Sequence, residues 1–224
     1  MSARLLLLLV LPAAAADFYL APSEFVVVPG QRIDVTILGV PPEPGRLRDA
    51  ALYTPKGVYN VVNLRVVGDA VVGDATIPAP GSLVLAVRAT PETAAGERRN
   101  LYAKALLVSD AADDLFERPT GLAFEILPEA NPFRLRPGDR FPIRLVLGGK
   151  PAGGIPVTMT SAGLSHPAGR TDPAGRIEAL IPAAGTWRLQ ATVRERCAEP
   201  GAADWESWTT SLTFAVTAGD SLVP

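Results

Sequence analysis

The chain holds one histidine and one cysteine, His166 and Cys197, among 224 residues. Zinc and nickel sites draw on imidazole nitrogen and thiolate sulfur, commonly several together. One of each supplies part of a site, and carboxylates must supply the rest. The acidic pair Asp204 and Glu206, on either side of Trp205 in "ADWESWTTSLTF", follows Cys197 in the chain. Cys197 itself lies in "RERCAEPGAADW", which reads as a loop. It meets His166 only if two neighbouring strand ends converge; otherwise it is a free, inert thiol. No Asp-x-Asp-x-Asp-Gly loop marks a hard-cation site.

Nucleophilic catalysis needs a base beside the nucleophile and a group that orients the base. Ser165 precedes His166 in "AGLSHPAG", a stretch bounded by glycine and proline that reads as an exposed loop between strands. No Gly-x-Ser-x-Gly elbow is present. Two carboxylates across a cleft would suit glycoside hydrolysis, and Asp113-Asp114 or Asp204 with Glu206 are the available pairs. Acidic pairs on loops read as solvated surface, so the chain is expected to be non-enzymatic.

Leu5 to Leu11, with Arg4 before and Ala13 to Ala16 after, has the charged, apolar and small-residue regions of a secretory leader. The apolar run is far short of the roughly 20 residues that span a bilayer. The expectation is an exported, periplasmic protein that begins near Asp17 and does not span the membrane. Lys and Arg number 21 against 23 Asp and Glu, a formal charge of −2, which leaves no basic excess to draw nucleic acid.

With 22 prolines and 20 glycines among short apolar runs, the composition argues against long helices and strands are expected. Ile33, Val35 and Ile37 alternate with Arg32, Asp34 and Thr36; Trp187, Leu189, Ala191 and Val193 alternate with polar residues likewise. Further runs at 83–89, 101–108, 122–127, 141–147, 155–159 and 177–181 are spaced as in a β-sandwich. "FVVVPGQRIDVTI" (25–37) and "FRLRPGDRFPIRL" (133–145) share Phe, Pro-Gly, Arg and the aliphatic alternation at identical offsets. The fold class expected is all-β: two consecutive immunoglobulin-like or transthyretin-like sandwiches after the leader. Their boundary falls in "LPEANPF", which gives a leader over 1–16, sandwiches over 17–127 and 128–217, and a tail over 218–224.

In "ADWESWTTSLTF" the residues from Trp208 onward alternate as a closing strand, with Trp208, Leu212, Phe214 and Val216 on one face. Trp205 and its acidic neighbours read as the loop that delivers this strand. Trp205 then either pins that loop to the sandwich or forms a small acidic recognition patch.

Four stretches carry a resemblance: "ADFYLAPSEFVVVPGQ", "GLAFEILPEANPFRLRPGDRFPIRLVLGGKPAGGIPVT", "TDPAGRIEALIPAAGTWRL" and "ADWESWTTSLTF". Together they resemble an exported bacterial family of unknown function described as NikM-like, or as periplasmic components of cobalt and nickel uptake systems. The second half is similar to transthyretin-like accessory modules. The resemblance implies association with a divalent transition metal, nickel or cobalt, and with a membrane uptake system or another envelope protein. Family members often begin His-Asp-Phe-Trp; here Ala16, Asp17, Phe18 and Tyr19 stand there, so Asp17 alone carries over as a ligand. The candidate metal set is then Asp17, His166, Cys197, Asp204 and Glu206. The rival expectation is a β-sandwich scaffold at the envelope that binds a protein or carbohydrate partner.

Overall fold

The computed structural model describes residues 17–109, 115–199 and 201–218; the leader, the Asp113-Asp114 pair and the tail beyond 218 lie outside them. The strands of the first half are β1 (Tyr19–Pro22), β2 (Arg32–Leu38), β3 (Leu47–Thr54), β4 (Gly57–Asn60) and β5 (Val62–Val67). They continue with β6 (Ala70–Thr76), β7 (Ser82–Ala89), β8 (Glu92–Ala94) and β9 (Glu97–Val108). The second half holds β10 (Phe124–Pro128), β11 (Arg140–Leu147), β12 (Lys150–Pro151) and β13 (Pro156–Ser161). It closes with β14 (Leu164–Arg170), β15 (Arg176–Leu180), β16 (Gly185–Arg196) and β17 (Trp205–Val216). Among the described residues the only helical pieces are three short 3-10 turns, so the all-β expectation is met. No helix among them is long and apolar enough to cross a membrane.

Alternation decides which face of each strand is buried. Ile33, Val35 and Ile37 of β2 are buried, whereas Arg32 and Asp34 between them are exposed. Two small sheets, ordered β1-β2-β6-β5 and β10-β11-β12 with β15 also on β11, each cover part of a larger one. That larger sheet has nine strands, β14-β13-β16-β17-β9-β7-β3-β4 with β8 on β9, and runs through both halves of the chain.

The join is parallel. The closing strand β17 pairs with β9 in register from Trp205 opposite Glu97 to Thr213 opposite Ala105. One apolar core lies against the first small sheet and includes Ile33, Ile37, Leu83, Leu85, Ala105 and Leu107. The other includes Phe141, Leu189, Leu212 and Phe214, together with Val84, Leu106 and Val108 from the first half. β7 and β9 therefore serve both cores, one on each face.

The repeated Pro-Gly turn builds the same device twice. Gly30 and Gly138 adopt left-handed backbone, φ 85° and 96°, where a Cβ would be strained. The amide of Gly30 donates to Ile77 O (2.8 Å) and the Ile77 amide returns to Gln31 O (2.8 Å). In the second half Gly138 donates to Ile181 O (2.7 Å) and Ile181 to Asp139 O (2.9 Å). Each turn thus fixes the register of the strand it opens, β2 on β6 and β11 on β15.

Candidate functional site

The five candidate ligands occupy both ends of β16 and both faces of its sheet. Cys197, Asp204 and Glu206 lie where β16 passes to β17, while Asp17 contacts Arg188 near the start of β16. From Arg188 to Arg196 is eight residues, about 26 Å at roughly 3.3 Å per strand residue. His166 stands in register with Met159, and Met159 with Leu189, on the core-facing side; Arg188 and Asp17 belong to the other side. No group of three or more His, Cys, Asp or Glu side chains that could hold a metal comes together among the described residues.

His166 is not on an exposed loop, as its sequence surroundings predict. It lies within β14, half-buried, with its ring edge-on to Trp187 at 5.9 Å between centroids. Proline and glycine are tolerated there because β14 is an edge strand and Gly169, φ 132°, absorbs the irregular register against β13.

The stretch "ADWESW" also departs from the loop expected of it. Trp205 is the first residue of β17, opposite Arg196, with the guanidinium carbons of Arg194 and Arg196 each 4.3 Å from its ring centroid. Glu206 is on the opposite face and 9% exposed, accepting from Arg98 Nε (2.9 Å) and Asn100 Nδ2 (3.0 Å). Trp208, on the Glu206 face, packs against the second core. Asp204 is exposed, and the amides of Asp204 and Trp205 both donate to Gly96 O (2.8 and 3.1 Å). The motif is a clasp that starts β17 between β16 and β9, and its carboxylate is committed to an internal ion pair. Cys197 is a half-buried free thiol whose amide donates to Asp204 O (3.1 Å).

Polar groups that sequence reasoning missed are gathered in three other places. On the outer face of the first small sheet, Asp74 accepts from Asn63 Nδ2 (2.8 Å), Arg65 Nη1 (2.9 Å) and Arg32. These donors, Asn63 foremost, hold the Asp74 carboxyl well below the usual carboxylate range. On the face of β9 that carries Tyr102 and Leu106 of the second core, Lys104 Nζ lies 3.4 Å from Glu125 Oε1, both side chains almost wholly buried. Burial pushes the Lys104 ammonium pKa down, and Glu125 opposes that shift. A lysine inside "LYAKALLV" is a signal the sequence does offer. The third place is the start of β16. There Arg188 holds Asp17 at 2.7 Å and lies over the Tyr19 ring at 4.0 Å, while Ser211 Oγ donates to Phe18 O (2.7 Å).

A groove of about 730 Å³ opens along β3, lined also by residues of β4, β5 and β7. Its lining includes Arg48, Tyr53, Val58, Ala86, Thr120 and Leu122. The Tyr53 hydroxyl donates to Thr120 O (2.9 Å), and burial raises its pKa. β4 and β5, the open edges of their two sheets, run beside this groove. Val58, Tyr59, Val62, Val66 and Val67 on these strands are all at least 41% exposed.

These features define an all-β protein of two cores on one shared sheet, with polar clusters built between strands. The chain belongs to the family described as a domain of unknown function (DUF4198), which matches residues 13–195. No curated protein matches it. Among solved structures, the D0-D1 domain of intimin is 13% identical, covering 88% of this chain and 97% of that one at a TM-score of 0.25. The tetra-tandem repeat of a large adhesion protein's extending region is 15% identical, covering 90% and 50% at 0.28. The Yersinia pseudotuberculosis adhesin InvE is 14% identical, covering 88% and 58% at 0.26. At that similarity they carry nothing about what this chain binds.

Proposed function

We propose that this protein is a non-enzymatic, exported scaffold of the cell envelope, which receives an extended segment of a protein partner along the β4 edge and its groove. The observation that carries the reading is the open flank. Five exposed apolar side chains fall within ten residues on two adjacent sheet edges, beside a groove of about 730 Å³. Exposed apolar side chains at an unpaired edge, two of them, Val58 and Val62, lining the groove, are the setting for strand addition. Charge selects the occupant. Arg48 in the groove lining and Lys56 before β4 have no ion-pair partner among the described residues, so the fitting segment alternates apolar residues with carboxylates.

The test uses a short synthetic peptide alternating valine and glutamate, beside its valine-lysine counterpart. The glutamate peptide is expected to bind and to slow amide exchange at Gly57–Asn60, and Arg48→Glu to weaken it about tenfold. Equal binding of both peptides, or protection confined to other strands, would contradict the reading. Association with nickel or cobalt uptake is the finer alternative and rests on sequence resemblance. It requires saturable Ni(II) or Co(II) binding by the chain from Asp17, lost in His166→Ala with Cys197→Ser, and the scaffold reading requires none.

A further inference from the structure

The polar recess at the start of β16 is independent of that flank. It encloses about 350 Å³, within the range of about 300–1,000 Å³ usual for small-molecule sites. Its floor is one row of residues in register across four strands: Ser165 of β14, Thr160 of β13, Arg188 of β16 and Thr213 of β17. Thr186 and Ser161 add further hydroxyls, and no aliphatic side chain larger than alanine lines it. Asp17 and Tyr19 form the wall, where the chain enters β1.

Two observations point to a guest. The Arg188 Nε and the Thr213 hydroxyl are buried and have no hydrogen-bond partner, which is costly for groups of that kind. Both belong to residues that line the recess, so a guest entering it is the nearest source of partners once their side chains turn toward it. The charge balance then selects its chemistry. The only charged side chains in the lining are Arg188 and Asp17, and they neutralise each other at 2.7 Å. A phosphate would need an uncompensated cation, and a divalent metal would need more than one carboxylate. What remains matched is a neutral molecule that both donates and accepts along its length, as the hydroxyls and the guanidinium-carboxylate pair do.

We propose that this recess binds a neutral saccharide unit. Sugar hydroxyls meet the Thr160, Ser165 and Thr186 hydroxyls, while the Arg188-Asp17 pair offers a donor and an acceptor side by side. The Thr160 and Ser165 oxygens, 2.6 Å apart, already show the hydroxyl-to-hydroxyl spacing such a ligand would continue.

The experiment is an amide NMR titration of the chain from Asp17 with cellobiose, maltose and N,N′-diacetylchitobiose, with inorganic phosphate as a separate arm. At least one disaccharide is expected to give saturable millimolar shifts at Thr160, Ser165 and Thr186. Thr160→Val, which keeps a β-branched side chain but removes the hydroxyl, should weaken binding about three- to tenfold. Shifts with phosphate and no sugar would overturn the neutral-ligand assignment. Absence of shifts with every sugar, or shifts that Thr160→Val leaves unchanged, would overturn the site.

Discussion

Replacing Glu125 with alanine is expected to lower the unfolding free energy by about 3–5 kcal/mol, the usual consequence of orphaning one member of a buried ion pair. Lys104 and Glu125 side chains are 1% and 2% exposed, so water cannot solvate the charge left behind. The loss reaches further. The Glu125 carboxylate also accepts the Thr120 amide (2.8 Å) and the Thr120 hydroxyl, and Thr120 O receives Tyr53. The connector before β10 is held to β9 and β3 by this chain of contacts. Lys104→Met with Glu125→Leu is expected to recover most of the loss, because no charge is then left buried.

The pH dependence of Glu125→Ala separates charge from shape. Burial already lowers the Lys104 pKa, and removing the opposing carboxylate lowers it further. A folded value below the unfolded one, about 10.4, means that the unfolded chain binds more protons between the two. Stability of the variant therefore rises as pH climbs through that window, and its deficit shrinks toward alkaline pH. Denaturant unfolding at several pH values reads this directly. A deficit that stays below about 1 kcal/mol, or does not change with pH, would contradict the assignment.

The isolated first half, residues 17–127, is expected not to fold. Without β17 it loses the whole parallel partner of β9 and bares Val84, Leu106, Val108 and Phe116, which are 0–2% exposed in the intact chain. Exposing an apolar side chain of this size costs about 1.5–3 kcal/mol. Four together rival the roughly 5–15 kcal/mol that stabilises a whole domain. Phe18 would also lose its contact with Ser211. Circular dichroism of this fragment should show no cooperative transition; one near that of the intact chain would refute the expectation.

Much of the fold was legible because alternation is local. The strands around Ile33, Leu83, Phe141 and Trp187 announce themselves, and the two Pro-Gly turns declare a repeated device. The union of β9 with β17 was not legible, since strands 108 residues apart in the chain, as Arg98 and Glu206 are, leave no joint pattern in either. The candidate site was read less well for the same reason. Glu206 looked like loop surface because its partners Arg98 and Asn100 come from the other half of the chain. His166 looked exposed because proline and glycine around it mimic a loop on an edge strand. The recess at Arg188 was hidden altogether, for it is assembled from four strands and the chain entry at Asp17.

The central claim is that one continuous sheet makes the two sandwiches a single rigid body able to present an edge to a partner. Native-state hydrogen exchange on the chain from Asp17 tests it most directly. The expected result is that amides of β9 and β17 exchange together and slowest, with one opening free energy common to strands of both halves. Separate opening free energies for the two halves, with the β9-β17 amides exchanging ahead of either core, would contradict it.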